Sequence, residues 1–142
     1  MRLWHKDLIR YLPRQQLLGQ WRECCLIAKN IAEKGTPNHI LVNPIMGYPI
    51  EHFITYSRMV FDEMDRRDYN VRSTAFTKYF DKPFYKSVPN SQLFDGWHNR
   101  RYCVQCLANL EEKYDRGGIT YNEWRIILGN GMKGYSQQNQ GA

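Results

Sequence analysis

Between Leu17 and Ala32 the side chains Leu17, Leu18, Trp21, Cys24, Cys25, Ala28, Ile31 and Ala32 recur at three- and four-residue steps. That is the period of an α-helix, and so continuous an apolar stripe has to be buried against further elements. Pro13 stands near the first turn and Gly35 just past the last, the usual asymmetry of helix starts and stops.

Three more helices follow from the same reasoning. Phe53, Tyr56, Ser57, Val60, Phe61 and Met64 form a stripe after Pro49 that closes in the charged run "DEMDRRDYN". From about Trp97 to Arg116, Cys103, Cys106, Leu107, Leu110 and Tyr114 share one side, and the Gly117–Gly118 pair ends the pattern by offering left-handed backbone. "TYNE", residues 120 to 123, reads as a capping box that opens a short helix carrying Trp124, Ile127 and Leu128. The apolar stretch "HILVNPIMGYP" at 39 to 49 fits either a short strand or a buried connection, and no alternating pattern of comparable length competes with the helices. The expected fold is all-α: one compact helical domain over residues 1–128, followed by a polar, Gly-rich flexible tail at 129–142.

The 142 residues suffice for one core without staples. Lys and Arg outnumber Asp and Glu by 20 to 14, for a net charge of +6 and a pI near 9.2, a balance that suits an acidic polymer such as nucleic acid. The first 34 residues hold seven Lys/Arg against three acids, so most of the excess lies there. No window approaches the roughly 20 apolar residues of a membrane span, and the start of the chain lacks a signal-peptide core. The four cysteines, an adjacent pair and a CxxC, do not form a secreted disulfide framework. The expectation is a cytoplasmic, monomeric protein with reduced thiols and no membrane partner.

At 100° per residue Glu23 falls almost opposite Trp21 and Ala28, on a face with Gln16, Gly19 and Asn30. By pattern alone it is a charge on a solvated face. Gly19, one turn earlier, costs about 1 kcal/mol relative to alanine inside a helix, and opens a notch over which Glu23 leans.

Three segments in order, "QQLLGQWRE", "EMDRRDYNV" and "CLANLEEKYDRGGITYNEW", resemble the pyrimidine dimer DNA glycosylases over roughly residues 1 to 128. The resemblance implies a compact helical domain whose N-terminus threads between the main helices. It also implies an α-amino nucleophile that attacks C1′ of a damaged nucleotide, displaces the base and forms a Schiff base permitting strand cleavage by β-elimination. The supporting glutamate corresponds to Glu23, and the arginine before it to Arg22. Here the amine belongs to Met1, followed by Arg2, so the interval to Glu23 is one residue longer than in the family; an adjustment around Tyr11 to Pro13 would absorb it. The chemistry suits an α-amine, whose reference pKa near 7.7–8.0 lies far below that of lysine, and a carboxylate then handles the proton transfers. The family's arginine three residues after the glutamate is Leu26 here, and its aromatic C-terminal run is reduced to Trp124 and Tyr135. The resemblance therefore implies as substrate double-stranded DNA carrying a pyrimidine dimer, another damaged or modified base, or an abasic site.

Candidate DNA contacts are Arg2, Arg14, Arg22, Lys78, Lys82, Lys86, Arg100, Arg101 and Lys113. Residues 72 to 86 interleave Arg72, Lys78, Lys82 and Lys86 with five aromatic rings, cations for phosphate and rings for an opened base; the bland alternative is a loop whose aromatics plug the core. "WHNRRYCVQC" at 97 to 106 invites zinc through His98, Cys103 and Cys106, with Cys24 and Cys25 as further candidate ligands, but a CxxC inside a helical stripe more often packs in a core, so no metal or organic cofactor is expected. The alternative to an enzyme is a non-catalytic nucleic-acid-binding protein on the same scaffold.

Overall fold

A computed structural model describes residues 1–71, 74, 76–80 and 85–140, the last ten by backbone alone. The chain forms a 3-10 helix at Lys6–Tyr11, α1 at Arg14–Lys34, a second 3-10 helix at Asn43–Gly47, α2 at Ile50–Arg66, a single turn α3 at Thr77–Phe80, α4 at Arg100–Asp115 and α5 at Tyr121–Gln140. Among the described residues there is no strand, and the all-α expectation holds. Residues 39 to 49 become a turn and 3-10 helix with Val42 and Ile45 buried. Pro44 lacks the N–H a ladder needs.

Local signals set the boundaries. Pro13 occupies the N-cap of α1, and Gly35 takes φ 74° at its C-cap, its N–H bonded to Ile31 O. Alanine there would hold a left-handed conformation costing about 1–2 kcal/mol, so Gly35→Ala is expected to lower the melting temperature by a few degrees; an unchanged melt would remove the cap from the argument. α4 starts at Arg100, three residues later than the sequence pattern indicated, because Asn99 Oδ1 accepts from Tyr102 N at 2.9 Å and caps it there. The capping box forms as expected: Thr120 N donates to Glu123 Oε1 at 2.9 Å and Glu123 N to Thr120 Oγ1 at 3.2 Å. The helix it opens is not short; helical backbone continues through residues 129–140, the stretch read as a tail. No proline interrupts it.

α1 packs on α2, α5 on α4 and on the first 3-10 helix, and that 3-10 helix also rests on α2. The core they enclose includes Tyr56, Phe53, Phe94, Leu17, Ile27 and Leu110. Leu3, at 0% exposure, belongs to it as fully as any helical residue, so the N-terminal segment runs through the interior. An extended segment there brings backbone N–H and C=O groups that must be paired.

Candidate active site

The pairing of that buried backbone builds the site. Gln20, in α1 and 1% exposed, accepts at Oε1 from Trp4 N at 2.7 Å and donates from Nε2 to Arg2 O at 3.0 Å. One side-chain amide thus satisfies an N–H and a C=O of the same segment, as a neighbouring strand would. α2 contributes Tyr56, whose hydroxyl donates to Trp4 O at 2.6 Å and lies 3.1 Å from Gln20 Oε1. α4 contributes Tyr102, whose hydroxyl donates to Leu3 O. Three helices therefore hold residues 2–4.

Glu23 lies one turn beyond Gln20. Its Oε2 accepts from Arg2 N at 3.3 Å and from Gln20 Nε2 at 3.4 Å. The carboxylate is half-buried and oriented by the same glutamine that fixes the segment. One peptide unit, about 3.8 Å between Cα atoms, separates Arg2 from Met1, whose side chain packs half-buried against the core. Burial raises the pKa of the Tyr56 and Tyr102 phenols and of the Cys24 and Cys106 thiols. Of these groups, Tyr56, Tyr102 and Cys24 feel the Glu23 charge and stay neutral at neutral pH.

Gly19 plays a different part from the one its spacing suggested. A Cβ added there would meet only Arg22 Nη2, at 3.8 Å. The N-terminal segment crosses α1 at Gln20 and Glu23 instead, because Gln20 offers paired hydrogen bonds and bare backbone offers none.

The candidate cations are distributed unevenly. The Arg2 guanidinium turns inward, over the Trp4 ring and with Nη1 3.9 Å from Cys106 Sγ. Arg22 is exposed beside Gly19, and Arg14 is exposed with its guanidinium over Tyr69. Lys78 is exposed over the Tyr79 ring, and Lys86 is exposed. Lys82, with Arg72 and Phe84 of the same run, falls outside the described residues, as does the side chain of Tyr135. Arg100 and Arg101 are exposed in the first turn of α4, whereas Lys113 lies in its last. About 20 Å of helix separates them, so they do not share a patch.

Several residues that organise the site were invisible as such. Gln20 carried a weak signal, a glutamine at the border of an apolar stripe. Tyr56 belongs to its stripe as a core residue and Tyr102 lies outside the stripe of its helix, and nothing local says what their hydroxyls meet. Arg10, Arg66 and Arg67 join Arg14 around a cleft of about 480 Å³. Two of them serve the fold: Arg67 donates to Leu12 O and Arg10 O at 2.7 and 2.8 Å, and Arg66 pairs with Glu63.

His98 is also structural. Its Nδ1 accepts from Lys6 N at 3.0 Å, and its backbone carbonyl lies 3.0 Å from His5 Nε2. Among the described residues no group of three or more His, Cys, Asp or Glu side chains could hold a metal ion. Burial drops the His98 pKa from 6.5 to about 2 and lowers that of His5 as well. Between the two His98 values the unfolded chain binds the extra proton, so stability is whole above about pH 6.5 and declines as pH falls below it. The slope approaches 1.4 kcal/mol per pH unit for each such histidine. Denaturant midpoints measured from pH 7 to pH 4 should show that decline, and His98→Phe should flatten it; a midpoint independent of pH would contradict buried neutral imidazoles.

Among comparisons with known proteins, the family model described as pyrimidine dimer DNA glycosylase matches residues 1–77. Those residues supply Arg2, Gln20, Glu23 and Tyr56; the later segment that carried part of the resemblance, around Lys113 and Trp124, lies beyond the match. No curated protein and no solved structure matches the chain.

Proposed function

The chain belongs to the pyrimidine dimer DNA glycosylase family, and we propose from that premise that it is a glycosylase with abasic-site lyase activity that works through the α-amine of Met1 and the carboxylate of Glu23. The amine nitrogen bonds to C1′ of the damaged nucleotide as the C1′–base bond breaks, and the base leaves with a proton. Opening of the sugar ring protonates its oxygen and leaves an imine to the protein. Loss of a C2′ proton then expels the 3′ phosphate, and water hydrolyses the imine to restore the amine. Each step moves a proton within reach of one carboxylate.

The observation that carries this reading is the 3.3 Å contact between Glu23 Oε2 and Arg2 N. A carboxylate held against the first peptide nitrogen, beside a segment fastened by Gln20, Tyr56 and Tyr102, is placed to serve an amine one residue away. The substrate class is duplex DNA with a pyrimidine dimer, a related damaged or modified base, or an abasic site. Arg22 and Arg14, exposed on α1, are proposed phosphate contacts, with Lys78, Lys86, Arg100 and Arg101 as further ones.

Incubation with abasic-site DNA and borohydride tests the reading. The expected result is a covalent adduct that maps to the N-terminal peptide and vanishes when the α-amine is acetylated. No adduct, or an adduct on a lysine that survives acetylation of the α-amine, would overturn it.

A further inference from the structure

The turn between α1 and α2 presents three large apolar side chains to solvent. Ile40 is 83% exposed, Met46 51% and Leu41 45%. This is not slack chain. His39 O accepts from Val42 N at 3.0 Å and Asn43 N at 2.9 Å. His39 N donates to Asn43 Oδ1 at 3.1 Å, and Leu41 N to His39 Nδ1 at 3.2 Å. Val42 and Ile45, just after the tip, are buried as anchors, and the 3-10 helix that carries Ile45 packs on α2. The turn is closed by its own hydrogen bonds, and its apolar tip lies outside the core.

We propose that Ile40 and Leu41 form a wedge that enters a base step of the duplex and holds it open while the damaged nucleotide is out of the stack; this rests on the glycosylase reading above. Three observations favour DNA as the occupant. First, Asn30 Nδ2 donates to Pro37 O at 3.2 Å, which fastens the start of the turn to the face of α1 that carries Glu23. Asn30 lies seven residues further along α1, about 10 Å, or roughly three base steps at about 3.4 Å each. A duplex seated at Glu23 and running along α1 would extend past this turn. Second, no Asp or Glu occurs from Lys34 to Ile50, so no anion on the turn repels phosphate. Third, two side chains on a narrow tip are far from the roughly 800 Å² per partner of a stable protein interface, but they match the Leu, Ile or Met wedges that pry base steps apart.

The test uses the full chain with I40A/L41A and a duplex bearing a non-cleavable abasic analogue with 2-aminopurine about three base steps from it, where the turn would meet the duplex. Wild-type binding should raise the fluorescence several-fold by unstacking the reporter. The variant should lose most of that rise while keeping the same dependence of affinity on salt, since no charge has been removed. On cleavable abasic DNA, the ratio of duplex to single-strand cleavage should fall about tenfold in the variant, because unstacking a step costs a few kcal/mol and a single strand has no stack to open. If the wild type binds and is trapped but gives no fluorescence rise, or if the variant matches it in both the rise and the ratio, the wedge is overturned and the glycosylase reading stands. If the wild type neither binds the duplex nor is trapped on abasic DNA, both are overturned.

Discussion

Glu23→Gln should slow imine trapping and strand cleavage by about 10²–10⁴-fold, the usual contribution of a positioned acid–base group. Glutamine keeps the shape and one acceptor oxygen, so the bond from Arg2 N survives and stability should change by less than about 1 kcal/mol. What it removes is the ability to take and return a proton at the sugar ring oxygen, the imine and C2′. Binding of abasic-analogue duplex should persist, because the exposed cations are untouched. Single-turnover trapping beside an affinity titration separates the two effects; near-normal turnover would show that Glu23 does no proton transfer.

Gln20→Ala should have the largest effect on folding. It strips the partner from a buried Trp4 N–H and from Arg2 O, and a buried group left unpaired costs about 1–3 kcal/mol. A total near 3 kcal/mol lowers the melting temperature of a chain this size by roughly 10 °C. Catalysis should fall as well, below the melt, because Glu23 loses its contact with Gln20 and the N-terminal segment loses its clamp, and displacements of about 1 Å can cost 10²-fold. Trapping rates measured well below the transition provide the check. A destabilised variant with an unchanged trapping rate would mean that Gln20 holds the core but not the reacting end.

Much of the fold is legible from local chemistry. α1 announces itself by its stripe between Pro13 and Gly35, α2 by the stripe after Pro49, and the start of α5 by Thr120 and Glu123. Where boundaries moved, a single local interaction moved them, as Asn99 did for α4. The extent of α5 differs because an opening cap fixes where a helix begins and not where it ends. The candidate site was legible in part: Glu23 stands out by its place off the stripe, and the resemblance names Met1, Arg2 and Arg22 beside it. Gly19 drew attention for a reason the geometry does not support, since only Arg22 lies near it.

The sequence by itself determined the helical class, the basic charge and the carboxylate on the polar side of α1, because periodicity, composition and spacing are properties of neighbouring residues. The resemblance already implied an N-terminus threaded between the helices; tertiary structure alone decided what holds residues 2–4 there, namely Gln20, Tyr56 and Tyr102 from three helices. Those contacts join positions 16 to 99 residues apart, and no local pattern encodes a hydrogen bond between a buried segment and the side chains that happen to close around it. The same holds for the exposed tip at Ile40. Its apolar residues look like any buried connection until the packing shows which of them the core leaves outside.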